Sequence, residues 1–231
     1  MNKIADSVAG VRRDIAAAAA ACGRKAEEIT LVAVSKTVPM DKILTAISAG
    51  QRHFGENRVQ EAESKIPALR PVPNLTWHMI GHLQSNKAQR AAELFDVIHS
   101  VDSIKLAGKL SQAALAAGKT LSVFVQVDLG HEETKFGTEK SQVAEMVAAI
   151  SAAGGLSLAG LMTIPPFFED PELTRPYFRA LRELRNGLEQ EQPGCLGRGE
   201  LSMGMSHDFQ VAIQEGATIV RIGTAIFGDR T

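Results

Sequence analysis

Lys36 follows the run Leu31-Val32-Ala33-Val34-Ser35 directly. An apolar, β-branched run of that length reads as a buried strand, so its lysine emerges at the strand exit. There it is either a solvated strand-end residue or a desolvated amine. Burial disfavours the ammonium form, and a neutral amine attacks carbonyls, which is Schiff-base chemistry. Two further stretches carry anion-binding types: Leu201-Ser202-Met203-Gly204-Met205-Ser206, and Arg221-Ile222-Gly223-Thr224. Ser202, Ser206 and Thr224 offer hydroxyls, and glycine lets backbone N–H groups approach an anion. A helix starting after Ser206 adds about half a positive charge. Both stretches therefore read as a phosphate cradle. The structural alternative is that Ser206 only caps its helix and Gly204 only makes a tight turn.

Arg221 stands between Val220 and Ile222 inside a strand pattern. A buried guanidinium needs a partner, either a structural carboxylate such as Glu56 or Asp102 or a bound ligand. His78-Met79-Ile80-Gly81-His82 has the i, i+4 spacing that binds metal on a helix. Here the segment reads as a strand entering a glycine turn and lacks the HExxH glutamate, so no metal is expected. His78 is expected to face the barrel mouth, His82 to lie in the loop, and Trp77 to pack strand against helix. No GxSxG, GxGxxG or GxxxxGK[ST] motif occurs, which weakens serine-hydrolase, dinucleotide and P-loop readings.

The elements that must position these residues alternate regularly. Strand candidates are Leu31–Val34, His53-Phe54, Trp77–Ile80, Val97–His99, Leu121–Val127, Leu158–Ile164, Leu201–Met203 and Thr218–Ile222. Helical stripes lie between them, as at Ile43, Leu44 and Ile47, at Val143, Met146, Val147 and Ile150, at Tyr177, Leu181, Leu184 and Leu188, and at Phe209, Ala212, Ile213 and Gly216. Strands alternating with helices imply right-handed βαβ units and a parallel sheet. Eight such units in 231 residues match a single α/β domain, residues 1–231, folded as a (β/α)₈ TIM-type barrel, with an open doubly wound sheet as runner-up. In a barrel, chemistry gathers at the C-terminal ends of the strands, where Lys36, Asn57, Ser202 and Thr224 all fall.

Ile4, Val8, Val11 and Ile15 share one helix face, so residues 3–22 read as an extra N-terminal helix packed on the barrel. The six alanines after Ile15 faintly imitate a signal peptide, but no cleavage context follows. Gln192 to Gly199 reads as an exposed loop before the seventh barrel strand. The net charge of −1 gives no basic field for nucleic acid or anionic membrane. Cys22 and Cys195, the two cysteines, are far apart and read as inert thiols in a reducing compartment.

Joint occurrence, in order, of Leu-Val-Ala-Val-Ser-Lys-Thr, Phe-Gly-Glu-Asn-Arg-Val-Gln-Glu, Trp-His-Met-Ile-Gly-His-Leu-Gln-Ser-Asn-Lys, Leu-Ser-Met-Gly-Met-Ser and Val-Arg-Ile-Gly-Thr-Ala-Ile-Phe-Gly resembles the pyridoxal phosphate homeostasis protein family (YggS/PROSC type). The blocks run from Leu31 to Gly228. One departure is His207, where an acidic residue is expected in many relatives. The resemblance implies the barrel of alanine racemase, fold type III of the pyridoxal phosphate (PLP) proteins, and PLP carried on Lys36 as an internal aldimine. It further implies that Ser202, Gly223 and Thr224, with backbone donors from Met203, hold the phosphate. Arg221 would approach the pyridine nitrogen, and Asn57 and His78 would line the ring side.

PLP withdraws electrons best with its ring nitrogen protonated, and a cationic arginine there disfavours that form. A racemase also needs a base on each face of the α-carbon, whereas the sole tyrosine, Tyr177, reads as part of an apolar helix stripe. The function implied is a cytoplasmic PLP carrier in vitamin B6 homeostasis, not an enzyme with marked turnover. Its expected partners are PLP and apo PLP-dependent enzymes as recipients, with no nucleic acid, no membrane and a monomeric state. The alternatives are a weak PLP-dependent amino-acid racemase or lyase, and a PLP-free Schiff-base aldolase.

Overall fold

A computed structural model of the chain describes residues 3–130 and 136–228. Along these residues run α1 (Lys3–Ala21), β1 (Thr30–Val34), α2 (Met40–Ser48), β2 (His53–Glu56), α3 (Val59–Leu69), β3 (Thr76–Met79), α4 (Ala88–Leu94), β4 (Val97–Val101), α5 (Ile104–Ala116) and β5 (Leu121–Asp128). There follow β6 (Thr138–Glu139), α6 (Val143–Ala152), β7 (Leu156–Met162), α7 (Arg175–Glu191), β8 (Glu200–Met205), α8 (Phe209–Gln214), β9 (Ile219–Ile222) and α9 (Thr224–Phe227). The sheet runs β4-β3-β2-β1-β9-β8-β7-β5, and β4 also pairs with β5. That pairing, Val97 to Ser122 and Ile98 to Val123, closes the ring into an eight-stranded parallel barrel. The two-residue β6 adds only to β5, opposite Val127 and Asp128.

Barrel strands are covered on both faces, so they bury nearly every side chain. The period-two alternation of each strand then separates outside from inside. Leu31, Ala33, Phe54, Trp77, Met79, Ile98, Leu201, Met203, Val220 and Ile222 pack outward in the layer between sheet and helices. Trp77 lies there against Phe54, ring centroids 5.4 Å apart, in the packing role expected of it. Val32, Phe124, Ala159, Met162 and Ile219 form a separate apolar cluster inside the barrel. The same alternation sends His53, His78, His99, Ser202 and Arg221 inward, so the barrel interior is polar beside this apolar cluster.

Helix α1 ends one residue before its expected limit. It buries Val8, Val11, Ile15, Ala18 and Ala19 and packs on α8, α9 and α2. Residues 192–199 run from α7 into β8 as a loop that is largely exposed but buries Leu196 in the core, pinned by Glu189, whose carboxylate accepts the N–H groups of Gly194 and Leu196. No helix among the described residues is long and apolar enough to cross a membrane.

Candidate functional site at the barrel mouth

Lys36 stands two residues past the end of β1, half-buried. It lines a cavity with Val34, Thr37, Pro39, Gly223 and Thr224. The next residue turns the chain sharply, since Thr37 has φ +60°. A β-branched residue in that left-handed region costs about 1–2 kcal/mol and persists only where the surroundings hold it. Here the Glu61 carboxylate accepts the Thr37 N–H, and Lys65 donates to Glu61 at 2.6 Å, to Glu56 at 3.0 Å and to the Ser35 carbonyl at 2.7 Å. Ser35 adds a hydroxyl donated to Glu56 at 2.6 Å. Lys65 thus ties α3 to the ends of β1 and β2 directly beneath Lys36. Burial pushes the Glu56 carboxyl up from the usual range, against the pull of Ser35 and Lys65.

Lys65→Met leaves Glu56 and Glu61 without their cation. Breaking a buried pair in this way costs about 3 kcal/mol, which urea unfolding at neutral pH measures directly. Glu56→Gln in the same background should recover part of it by removing the stranded charge.

Across the cavity, β8 bulges between Ser202 and Met205 against β9, and the bulge is built on Gly204. Its φ is +93°, and a Cβ there would sit 2.6 Å from the Ala212 Cβ and 3.0 Å from the Phe209 Cα. Only glycine lets α8 press this close. The turn that follows brings the Ser206 hydroxyl to accept the Gly223 N–H at 3.1 Å, while Asp208 accepts the Met205 N–H at 2.6 Å. Gly204→Ala is expected to destabilise by about 2 kcal/mol through strain and overpacking and to displace Ser206 from Gly223. A urea midpoint together with the Gly223 amide chemical shift reads both effects.

Beneath this cradle, Arg221 is buried in the interior, 3% exposed. One Nη1–H goes to the Ser202 hydroxyl at 2.7 Å and one Nη2–H to the Thr163 carbonyl at 3.0 Å. Burial lowers its pKa to about 10, opposed by the charge of Asp208, so it stays cationic at neutral pH. The Ser202 Oγ is 2.8 Å from His99 Nδ1, His99 Nε2 is 2.8 Å from His78 Nδ1, and His78 Nε2 is 3.0 Å from His53 Nδ1. Burial brings His78 down to about 3 and holds His99 well below the ordinary histidine range.

Of the residues singled out in the sequence, Lys36, Gly223 and Thr224 share one cavity. Ser202 is not among its lining residues: its hydroxyl is fully buried and engaged by Arg221 and His99, and the hydroxyl beside Gly223 belongs to Ser206. The Met203 side chain faces outward into the helix layer; the role expected of Met203, that of a backbone donor, does not depend on it. Arg221 meets neither Glu56, which is held by Lys65 and Ser35, nor Asp102, which pairs with His82 at 3.3 Å. His78 does not face the mouth; strand alternation turns it inward between two histidines. Asn57 lines a neighbouring groove with His82 and Lys87, its backbone pressed by Gly81, where a Cβ would lie 2.3 Å from the Asn57 carbonyl oxygen. Among the described residues no group of three or more His, Cys, Asp or Glu side chains is arranged so that it could hold a metal ion.

A family model described as alanine racemase, N-terminal domain, matches residues 11–231. The pyridoxal phosphate homeostasis protein of Escherichia coli K12 is 44% identical over 235 residues, spanning 100% of this chain and 98% of that protein. The chain belongs to the pyridoxal phosphate homeostasis protein family. The family member from Aquifex aeolicus is 45% identical over 90% of both chains. Among solved structures, PipY of Synechococcus elongatus with PLP bound superposes with a TM-score of 0.85 at 40% identity, covering 97% of this chain and 100% of PipY. Alanine racemase from Corynebacterium glutamicum, 18% identical with a TM-score of 0.71 over 98% of this chain and 62% of that one, shares the barrel fold.

Proposed function

We propose that this chain holds PLP covalently on Lys36 and serves PLP homeostasis as a carrier, without marked turnover. The observation that carries the proposal is that Lys36 lines one cavity with Gly223 and Thr224, with the Ser206 hydroxyl on the Gly223 N–H. An amine that captures a carbonyl and donors that suit a phosphate thus face each other. Arg221, two residues before Gly223, donates two of its five N–H groups to Ser202 and Thr163, and its remaining N–H groups would be the donors for a ring nitrogen.

When bound, the cofactor supplies an aldehyde that condenses with a primary amine and releases water. Lys36 provides that amine, aimed by the turn that Glu61 and Lys65 hold. Ser206, Gly223 and Thr224 would supply hydroxyl and backbone donors for the phosphate, together with the Met203 backbone expected from sequence, while the Ser202 hydroxyl is held by Arg221 and His99. Arg221 would donate toward the ring nitrogen and, as a cation, would disfavour its protonation, which weakens carbanion chemistry. Asn57 and His78 act at one remove, Asn57 on the neighbouring rim and His78 through His99. Tyr177 lies against Phe168 on α7, ring centroids 6.0 Å apart, and is not among the cavity's lining residues. The setting proposed is cytoplasmic and monomeric, with apo PLP-dependent enzymes as recipients.

Titration of the purified protein with PLP should saturate near one equivalent per chain with a visible absorption band. Loaded protein incubated with single amino-acid enantiomers should leave them unchanged over hours. Steady racemisation or cleavage at Lys36 would replace the carrier by an enzyme.

A further inference from the structure

Three histidines on adjacent strands line the barrel interior, and nothing in carbonyl capture or phosphate binding calls for them. His53 on β2, His78 on β3 and His99 on β4 stand nitrogen to nitrogen at 3.0 and 2.8 Å, and His99 reaches the Ser202 Oγ at 2.8 Å. Ser202 in turn receives Arg221 at 2.7 Å. His78 and His99 are 3% and 0% exposed, while His53 is half-buried and lines a separate cavity with Arg12, Thr30, Gln51 and Arg52.

The direction of this chain follows from its Arg221 end. A guanidinium only donates, so the Ser202 oxygen must accept from it. The serine's own hydrogen then needs an acceptor, and the one in reach is His99 Nδ1. With Nδ1 accepting, His99 carries its proton on Nε2 and donates to His78 Nδ1. His78 does the same toward His53 Nδ1. The opposite polarity would send the His99 proton into Ser202 and leave a buried hydroxyl hydrogen without an acceptor, which carries the full desolvation penalty of an unsatisfied donor. Burial, the Arg221 charge beside His99 and the neighbouring imidazoles keep both inner histidines neutral, so each has one donor and one acceptor to give. His99 is also locked in orientation by stacking on Phe124, centroids 4.6 Å apart and planes at 15°.

We propose that His53, His78 and His99 form a one-directional hydrogen-bond relay of Nε2–H tautomers that fixes Ser202 and thereby positions Arg221 for the cofactor ring. The relay deepens the PLP reading and rests on it for the last step alone. His99, His78 and Ser202 are positioning residues, since they act on the ligand only through Arg221. The relay also accounts for a polar barrel interior that strand packing by itself would fill with aliphatic side chains.

The test begins on PLP-free wild-type protein labelled with ¹⁵N-histidine. Two-bond ¹⁵N–¹H correlations should show Nε2–H tautomers at all three histidines, and Ser202→Ala should turn the single His99 tautomer into a mixture. An Nδ1–H tautomer at His99 in the wild type, or an unmoved His99 signal in Ser202→Ala, overturns the relay. On PLP-loaded protein, His99→Phe keeps the stack on Phe124 and removes the hydrogen bonds. It should weaken PLP binding about tenfold and shift the visible absorption maximum, and His99→Gln, which can accept and donate in the same place, should restore much of both. Wild-type affinity and spectrum in His99→Phe overturn the positioning role. Failure of the wild type to bind PLP would sink the functional reading, and the tautomer pattern would still decide the relay.

Discussion

Acidification from about pH 7 to about pH 4.5 is expected to remove a few kcal/mol of folding stability, with the loss beginning near pH 6.5, about two units above the ordinary carboxylate range. His78 has a folded pKa of about 3 against an ordinary value of 6.5. In the unfolded chain it takes up a proton below pH 6.5, and in the barrel it does not. Stability is therefore fully present above about pH 6.5 and falls as pH drops toward the folded value, by about 1.4 kcal/mol per unit. Over this range His78 loses about 2.5 kcal/mol, and His99, also depressed by burial, adds a loss of the same sign. Glu56, Glu200 and Asp208 have raised pKa values and act in the opposite sense, so they offset part of the loss. Urea midpoints across this range should fall steadily, and less steeply in His78→Gln. A flat profile would mean that the histidines are hydrated, and the interior chain would go with it.

Lys36→Ala should reduce PLP retention through gel filtration to background, with loss of the visible band and an affinity at least about 100-fold weaker, or roughly 2.7 kcal/mol. The residual binding should come from Ser206, Gly223, Thr224 and Arg221 and should respond to competing inorganic phosphate. Thermal stability of PLP-free protein should barely move, because the Lys36 side chain is half-exposed and the turn beneath it is held by Lys65. Wild-type affinity in Lys36→Ala would remove the amine from the proposal.

Much of this fold was legible in the sequence because a parallel barrel writes itself as short apolar runs. All eight barrel strands fall on expected segments, with ends displaced by a residue or two, outlasting the apolar run in most and stopping short of it at Ile80, Ile164 and Thr218. The helices were less visible. α3 carries Pro67 inside its last turns, and α4 is seven residues dominated by alanine, so neither shows a strong periodic stripe. At the site, Lys36, Gly223 and Thr224 could be read locally because each follows its strand directly. The interior chain could not. It depends on register, Gly55 beside His78 and His78 beside Val97, and no local pattern carries register across strands. Lys65 was also passed over, although Glu61 and Lys65 stand at i, i+4 on one helix face, a pairing signal that becomes telling only with Glu56 at the adjacent strand end. Ser202 and Ser206 are four residues apart with equal hydroxyl chemistry. Strand direction and the Gly204 bulge decide between them, sending Ser202 inward to Arg221 and Ser206 to Gly223.

Borohydride reduction of PLP-loaded protein, followed by proteolysis and mass spectrometry, probes the central claim most directly. The pyridoxyl mass is expected on the peptide containing Lys36, in near-stoichiometric yield. Recovery of that mass on Lys42, on Lys65 or on scattered surface lysines, or on no lysine at all, would contradict it.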